Sequence, residues 1–143
     1  MHVRQITMIA VTLAVLAAGC GGTDAGSDGP LRAGRDIYGS ICSACHGGAG
    51  QGGVGPALDG VLESFPACSD HIEWVTLGSN RWRTEVGDTY GATAKPVAGA
   101  MPEGATIFTA GEIASVAFFE RVQYGGQDEE EAAADCGVPT ANP

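Results

Sequence analysis

Large side chains are scarce in this chain: aromatics make up 6% of it, against 44% hydrophobic residues overall and 23 glycines. A sequence so composed struggles to fill a core by itself, which points to a bound group that supplies apolar volume. Basic residues are also few, 7 Lys and Arg against 17 Asp and Glu, for a formal charge of −10. That balance excludes a nucleic-acid backbone as partner and favours proteins with basic docking surfaces. No run shows strand alternation, so the class is all-α. No internal repeat or second boundary is visible in 143 residues, which leaves room for one domain.

The longest apolar run, Ile6 to Ala18, is too short for a comfortable membrane span. Preceded by Arg4 and followed by small residues, it has the layout of a secretory signal. Its end, Leu16-Ala17-Ala18-Gly19-Cys20, resembles a bacterial lipoprotein signal covering residues 1–19, with Cys20 as the lipidated residue. The usual aliphatic three places before the cysteine is here Ala17, a slight departure. Residues 20–30 have the glycine and small polar composition of a flexible tether, with a span of roughly 18 Å. The expected location is outside the cytoplasm, anchored by lipid to the outer face of a bacterial membrane, or periplasmic.

Helical periodicity marks three main segments. Leu31 to Ala44 carries Ile37 and Ile41 on one face. A second segment starts at Ser69 or Asp70 and runs through His71 and Trp74 to a stop at Gly78. The third, Gly111 to Tyr124, opens with Thr109 and Glu112 spaced as a capping box and stops at Gly125-Gly126. A further short turn is expected over Ala57 to Leu62, and Asn80 to Gly104 reads as a long loop. The acidic run Asp128 to Glu131 reads as part of a solvated tail over residues 127–143.

Cys42-Ser43-Ala44-Cys45-His46 is the haem c attachment pattern. Two cysteines one helical turn apart add across the two vinyl groups of a porphyrin, and the adjoining His46 ligates the iron. Zinc needs two further ligands at similar spacing, which the isolated Cys68 and Cys136 do not supply. A thioredoxin-like site lacks its strand-turn-helix setting. Of the five cysteines, assigning Cys20 to lipid and Cys42 and Cys45 to haem leaves Cys68 and Cys136. In an oxidising compartment that even remainder suggests a disulfide tying the tail back, the alternative being two separate thiols.

With Gly50-Gln51-Gly52-Gly53-Val54-Gly55-Pro56-Ala57-Leu58 and Gly99-Ala100-Met101-Pro102, the motif resembles the small class I cytochromes c over most of residues 31–126. The resemblance implies an all-α cytochrome c fold, three main helices around one covalent haem c, the first helix crossing the last where Gly34 and Tyr38 face Phe118 and Phe119. It implies that the Pro56 carbonyl accepts a hydrogen bond from the proximal imidazole and that Leu58 packs on the haem. Met101 is then the distal iron ligand, with His71 the rival; on its helix His71 reads as an edge or surface residue. Glu103-Gly104 departs from the aromatic-glycine pair that often follows in the family. Trp82 is a candidate haem neighbour, and Arg81 and Arg83 are candidates for its propionates or for solvent.

The implied function is one-electron transfer in an extracytoplasmic respiratory-type chain, without catalysis or a small-molecule substrate. The implied partners are a donor complex and a terminal oxidase or similar acceptor. Two alternatives stand beside it: a ligand-binding haem sensor or small peroxidase with an open distal site, and a subunit that works only inside a larger complex.

Overall fold

The computed structural model describes residues 28–139; the signal, Cys20 and most of the tether lie outside the described residues. The chain forms α1 (Asp28–Ile37), a π-helical turn (Tyr38–Cys42), α2 (Ser43–His46), α3 (Val61–Ser64), α4 (Cys68–Glu85), α5 (Ala110–Gln123) and α6 (Glu129–Cys136). A two-stranded antiparallel ribbon pairs β1 (Thr89–Tyr90) with β2 (Lys95–Pro96), in the register Thr89 to Pro96 and Tyr90 to Lys95. Among the described residues there is no other strand, so the architecture is all-α as expected.

The frame is the crossing of α1 on α5. Gly34 is buried, and a Cβ there would overlap the Ser115 carbonyl and the Phe119 Cβ, so only glycine lets the two backbones meet. One turn further, Tyr38 packs its ring 5.7 Å from Phe119 and 5.0 Å from Tyr124. Helix α5 begins with the capping box read from the sequence: Thr109 N–H donates to Glu112 Oε2 at 2.8 Å and Glu112 N–H to Thr109 Oγ1 at 3.3 Å.

Several expectations are corrected. The first helix starts at Asp28, inside the segment read as tether, and the short helix lies at Val61–Ser64 rather than Ala57 to Leu62. Gly78 interrupts α4 where the sequence placed its stop: at φ 62° and ψ 176° it is not helical, and the correction is that a second helical stretch follows it to Glu85, through what was read as loop. Only a residue without Cβ tolerates both that positive φ and the Pro102 carbonyl packed against it.

The acidic run is likewise structured. Asp128 caps α6 by accepting from the N–H groups of Glu130 (3.0 Å) and Glu131 (3.2 Å), and three glutamates occupy the positive end of the helix. Its inner face, Ala132, Ala133 and Cys136, is buried against Ala117 and Phe118 of α5. The Cys136 and Cys68 sulfurs are at disulfide bonding distance, with Cα atoms 5.1 Å apart.

Candidate haem site

The attachment motif ends one continuous helical stretch, α1 through α2, whose π turn closes on Cys42. Such turns reset the helical register and recur at functional sites. After His46 the chain reverses at Gly47 (φ 81°), whose carbonyl accepts the Tyr38 hydroxyl. The glycine loop then folds back on the motif: Gly52 N–H donates to the His46 carbonyl at 2.8 Å and Gly55 N–H to the Cys45 carbonyl at 2.9 Å.

That return brings the Pro56 carbonyl 2.8 Å from His46 Nδ1. A carbonyl only accepts, so the ring proton sits on Nδ1 and the Nε2 lone pair is free for a metal. A Cβ at Gly55 would press on three imidazole atoms at 3.0–3.2 Å, so this glycine sets how closely the loop backs the ring.

Beyond the ring lies a cavity of about 490 Å³, lined by Cys42, Cys45, His46, Pro56, Leu58 and Met101 with mostly apolar neighbours. Its size falls within the usual range for organic ligands, roughly 300–1,000 Å³. Four aromatic rings form part of its wall. Phe65 stacks on His71 at 5.1 Å and on Tyr90 at 5.9 Å, and Tyr90 stacks on Trp74 at 4.1 Å.

Neither Cys42 nor Cys45 is in a disulfide. Burial, with the negative charge of Glu120 adding to it, pushes Cys42 up to about 12. A thiol held protonated at neutral pH lacks the low-pKa character that disulfide oxidoreductases need. Among the described residues no group of three or more His, Cys, Asp or Glu gathers to hold a metal ion, which also removes a zinc site there.

Met101 reaches the cavity from the segment before α5, and its backbone is tied to the bend in α4. The Met101 N–H donates to Ser79 Oγ at 3.0 Å, and Ser79 N–H donates to the Met101 carbonyl at 3.0 Å. Glu103, the departure from the family pattern, pairs with Arg81 at 2.8 Å. Gly104 packs against the Val75 backbone and opens a short 3-10 turn, Gly104–Thr106. The distal segment is therefore braced by a different set of contacts.

Three placements differ from expectation. Trp82 does not line the cavity. Its Nε1 donates to the Thr89 carbonyl at 2.9 Å, and its ring meets Trp74, which does line it, edge-on at 5.2 Å. Arg81 is occupied by Glu85 and Glu103, and Arg83 by the Val97 and Gly99 carbonyls; neither lines the cavity. The cation at its wall is Lys95, held to Ser64 Oγ at 2.8 Å. His71, finally, is buried, and pairs with Glu120 at 3.0 Å. Sequence spacing does not show this burial, because it depends on pairing with Glu120 of α5, 49 positions away.

The residues fit haem c: two uncommitted thiols, an imidazole with its metal-facing nitrogen free, a thioether, and an apolar slot between them. A family model described as "Cytochrome C oxidase, cbb3-type, subunit III" matches residues 29–119. No curated protein matches the chain.

Proposed function

Since the chain belongs to the c-type cytochrome family represented by the cbb3-type oxidase subunit III model, and so carries covalently bound haem c, we propose that it is a monohaem one-electron carrier with His46 and Met101 as axial ligands. The bound haem supplies the Fe(II)/Fe(III) couple. Cys42 and Cys45 hold the porphyrin, and His46, oriented by Pro56, presents Nε2 to the iron. Met101 offers a soft thioether, which favours the ferrous state and raises the potential. Leu58 and the aromatic wall would exclude water around the haem, and Lys95 would be available to its propionates. His46 and Met101 would both hold the iron, leaving transfer of an electron as the protein's role.

The observation that carries this reading is the hydrogen bond from His46 Nδ1 to the Pro56 carbonyl in a cavity that Met101 also lines. Ile41, Val54 and Ile107 are exposed at that same cavity, which makes its rim the apolar centre of a docking face. The charge of −10 suits partners with basic surfaces, a respiratory donor and a terminal oxidase or similar acceptor. Export and a lipid on Cys20 are part of this proposal, supported by the resemblance of the N-terminal sequence to a lipoprotein signal; no helix among the described residues is long and apolar enough to cross a membrane.

The test is the oxidised spectrum: a weak far-red methionine-to-iron band, present in wild type and absent in Met101→Ala, is expected. Identical spectra would remove Met101 from the axial set. Ready carbon monoxide binding by the reduced wild type would favour a sensor or peroxidase instead. A second reading, a fixed subunit of an oxidase complex, draws on the printed description of the matching family. It requires stoichiometric co-purification with a catalytic subunit.

A further inference from the structure

The haem cavity contains an acid–base pair that haem attachment and ligation leave unused. His71 on α4 is 2% exposed and Glu120 on α5 is 5% exposed, and their side chains meet at Nε2 to Oε2, 3.0 Å. Both residues line the cavity, and Phe65 lies parallel to the imidazole at 5.1 Å. The other ring nitrogen, Nδ1, is buried and has no hydrogen-bond partner. Buried polar atoms are nearly always paired, so an orphan beside a carboxylate at a cofactor wall calls for an explanation.

We infer that His71 and Glu120 form a redox-linked proton site, which takes up one proton from water when the haem is reduced and releases it on oxidation. This rests on the haem reading given above. The charges balance in both states. A ferric porphyrin core carries one net positive charge, and a neutral imidazole beside an ionised carboxylate carries one negative charge. An electron from a one-electron protein donor removes the positive charge, and a proton then removes the negative one. An unbalanced charge buried in an apolar cavity is costly, so the pair and the iron each favour the state that neutralises the other. Two unit charges sharing one cavity wall at an effective dielectric near 20 interact by about 1–2 kcal/mol, enough to change proton affinity about tenfold.

Among the described residues no other charged side chain is paired with His71 or Glu120. Arg121, next to Glu120 in sequence, turns its guanidinium to the Phe65 and Pro66 carbonyls and to Asp135 of α6. Lys95 is tied to Ser64. Tyr38 and Tyr124 lie within electrostatic range of Glu120, as does Cys42, and both phenols are pushed up, by burial first, so they stay neutral. In the holoprotein Cys42 is a thioether and does not titrate.

The holoprotein is titrated potentiometrically between about pH 5 and 8, the range in which imidazoles change charge. Reduction raises proton affinity, so the midpoint potential of wild type is expected to fall as pH rises across the window. A tenfold difference in affinity corresponds to a total fall of about 59 mV. His71→Gln and Glu120→Gln are expected to flatten that fall, with the covalent haem and far-red band of each variant recorded alongside. Independently of any variant, ¹⁵N resonances of the His71 ring in wild type should titrate at higher pH in the ferrous than in the ferric protein. If a variant does not fold, this measurement alone decides. A flat potential, a slope that survives both substitutions (a propionate origin), or a ring that titrates identically in both states overturns the inference. Loss of the far-red band from wild type would instead count against the axial set proposed above, which a flat potential with an intact band would not.

Discussion

Ser79 holds Met101 from both sides: its hydroxyl accepts the Met101 N–H and its own N–H donates to the Met101 carbonyl, each at 3.0 Å. Ser79 is fully buried, and the pairing exists because the non-helical Gly78 interrupts α4 and frees the Ser79 N–H for the Met101 carbonyl. A loop residue is thereby given the backbone constraint of a ladder position.

Ser79→Ala removes one of these bonds and leaves a buried N–H without a partner, a loss of about 1–3 kcal/mol. The expected signature is spectroscopic. The far-red band should fade on warming well before global unfolding, and the reduced variant should bind carbon monoxide more readily than wild type. Ser79→Thr, which keeps the hydroxyl, should restore the band if it folds. A band as heat-resistant as that of wild type in Ser79→Ala would mean the clamp does not position Met101.

Gly34→Ala places a methyl group where the Ser115 carbonyl and Phe119 already stand. Overpacking of this kind costs about 1–3 kcal/mol. Chemical denaturation of the holoprotein should show a lower midpoint with an unchanged slope. An unchanged midpoint would show that α1 and α5 can slide apart without penalty.

Arg121 is among the largest fully buried side chains and bonds to Phe65, Pro66, Gln127 and Asp135, joining α5 to α6 and to the turn before α4. Arg121→Ala leaves two carbonyls and a carboxylate without their donor and opens a cavity, so a loss of about 3–5 kcal/mol is expected. Equilibrium unfolding would measure it; a loss under 1 kcal/mol would contradict the bracing role.

The Cys68–Cys136 link closes a loop with a sequence separation of 68. In the chain-entropy model it contributes about 4 kcal/mol. Mass measurement after alkylation, with and without reductant, should show two thiols released on reduction. The double variant Cys68→Ser, Cys136→Ser should unfold at lower denaturant while keeping its haem spectrum.

The Thr109 backbone N–H and hydroxyl hold Glu112 below the usual carboxylate range. Because the folded state depresses this value, the contribution is present at neutral pH and lost as pH falls through the acid range. The unfolding midpoints of wild type and Glu112→Gln should differ at pH 7 and converge on acidification. A difference independent of pH would assign the effect to shape rather than charge.

What this sequence settled alone was local chemistry. The attachment motif, the capping box at Thr109 and Glu112, the Gly-Pro turn and the even cysteine remainder each depend on residues close in the chain or on simple counting, and spacing displays them directly. Tertiary structure decided what arises between distant segments. It showed that the chain becomes helical again after the stop at Gly78 and that the Pro102 carbonyl, more than twenty residues away, packs against that glycine. It moved Trp82 behind Trp74, put Lys95 rather than an arginine at the cavity wall, and made an ordered helix of the acidic run by burying its alanines on α5. It also joined His71 to Glu120, a contact across 49 positions that no periodicity encodes. Short-range geometry is written in the order of residues, whereas burial and charge pairing depend on which surfaces the folded chain brings into contact.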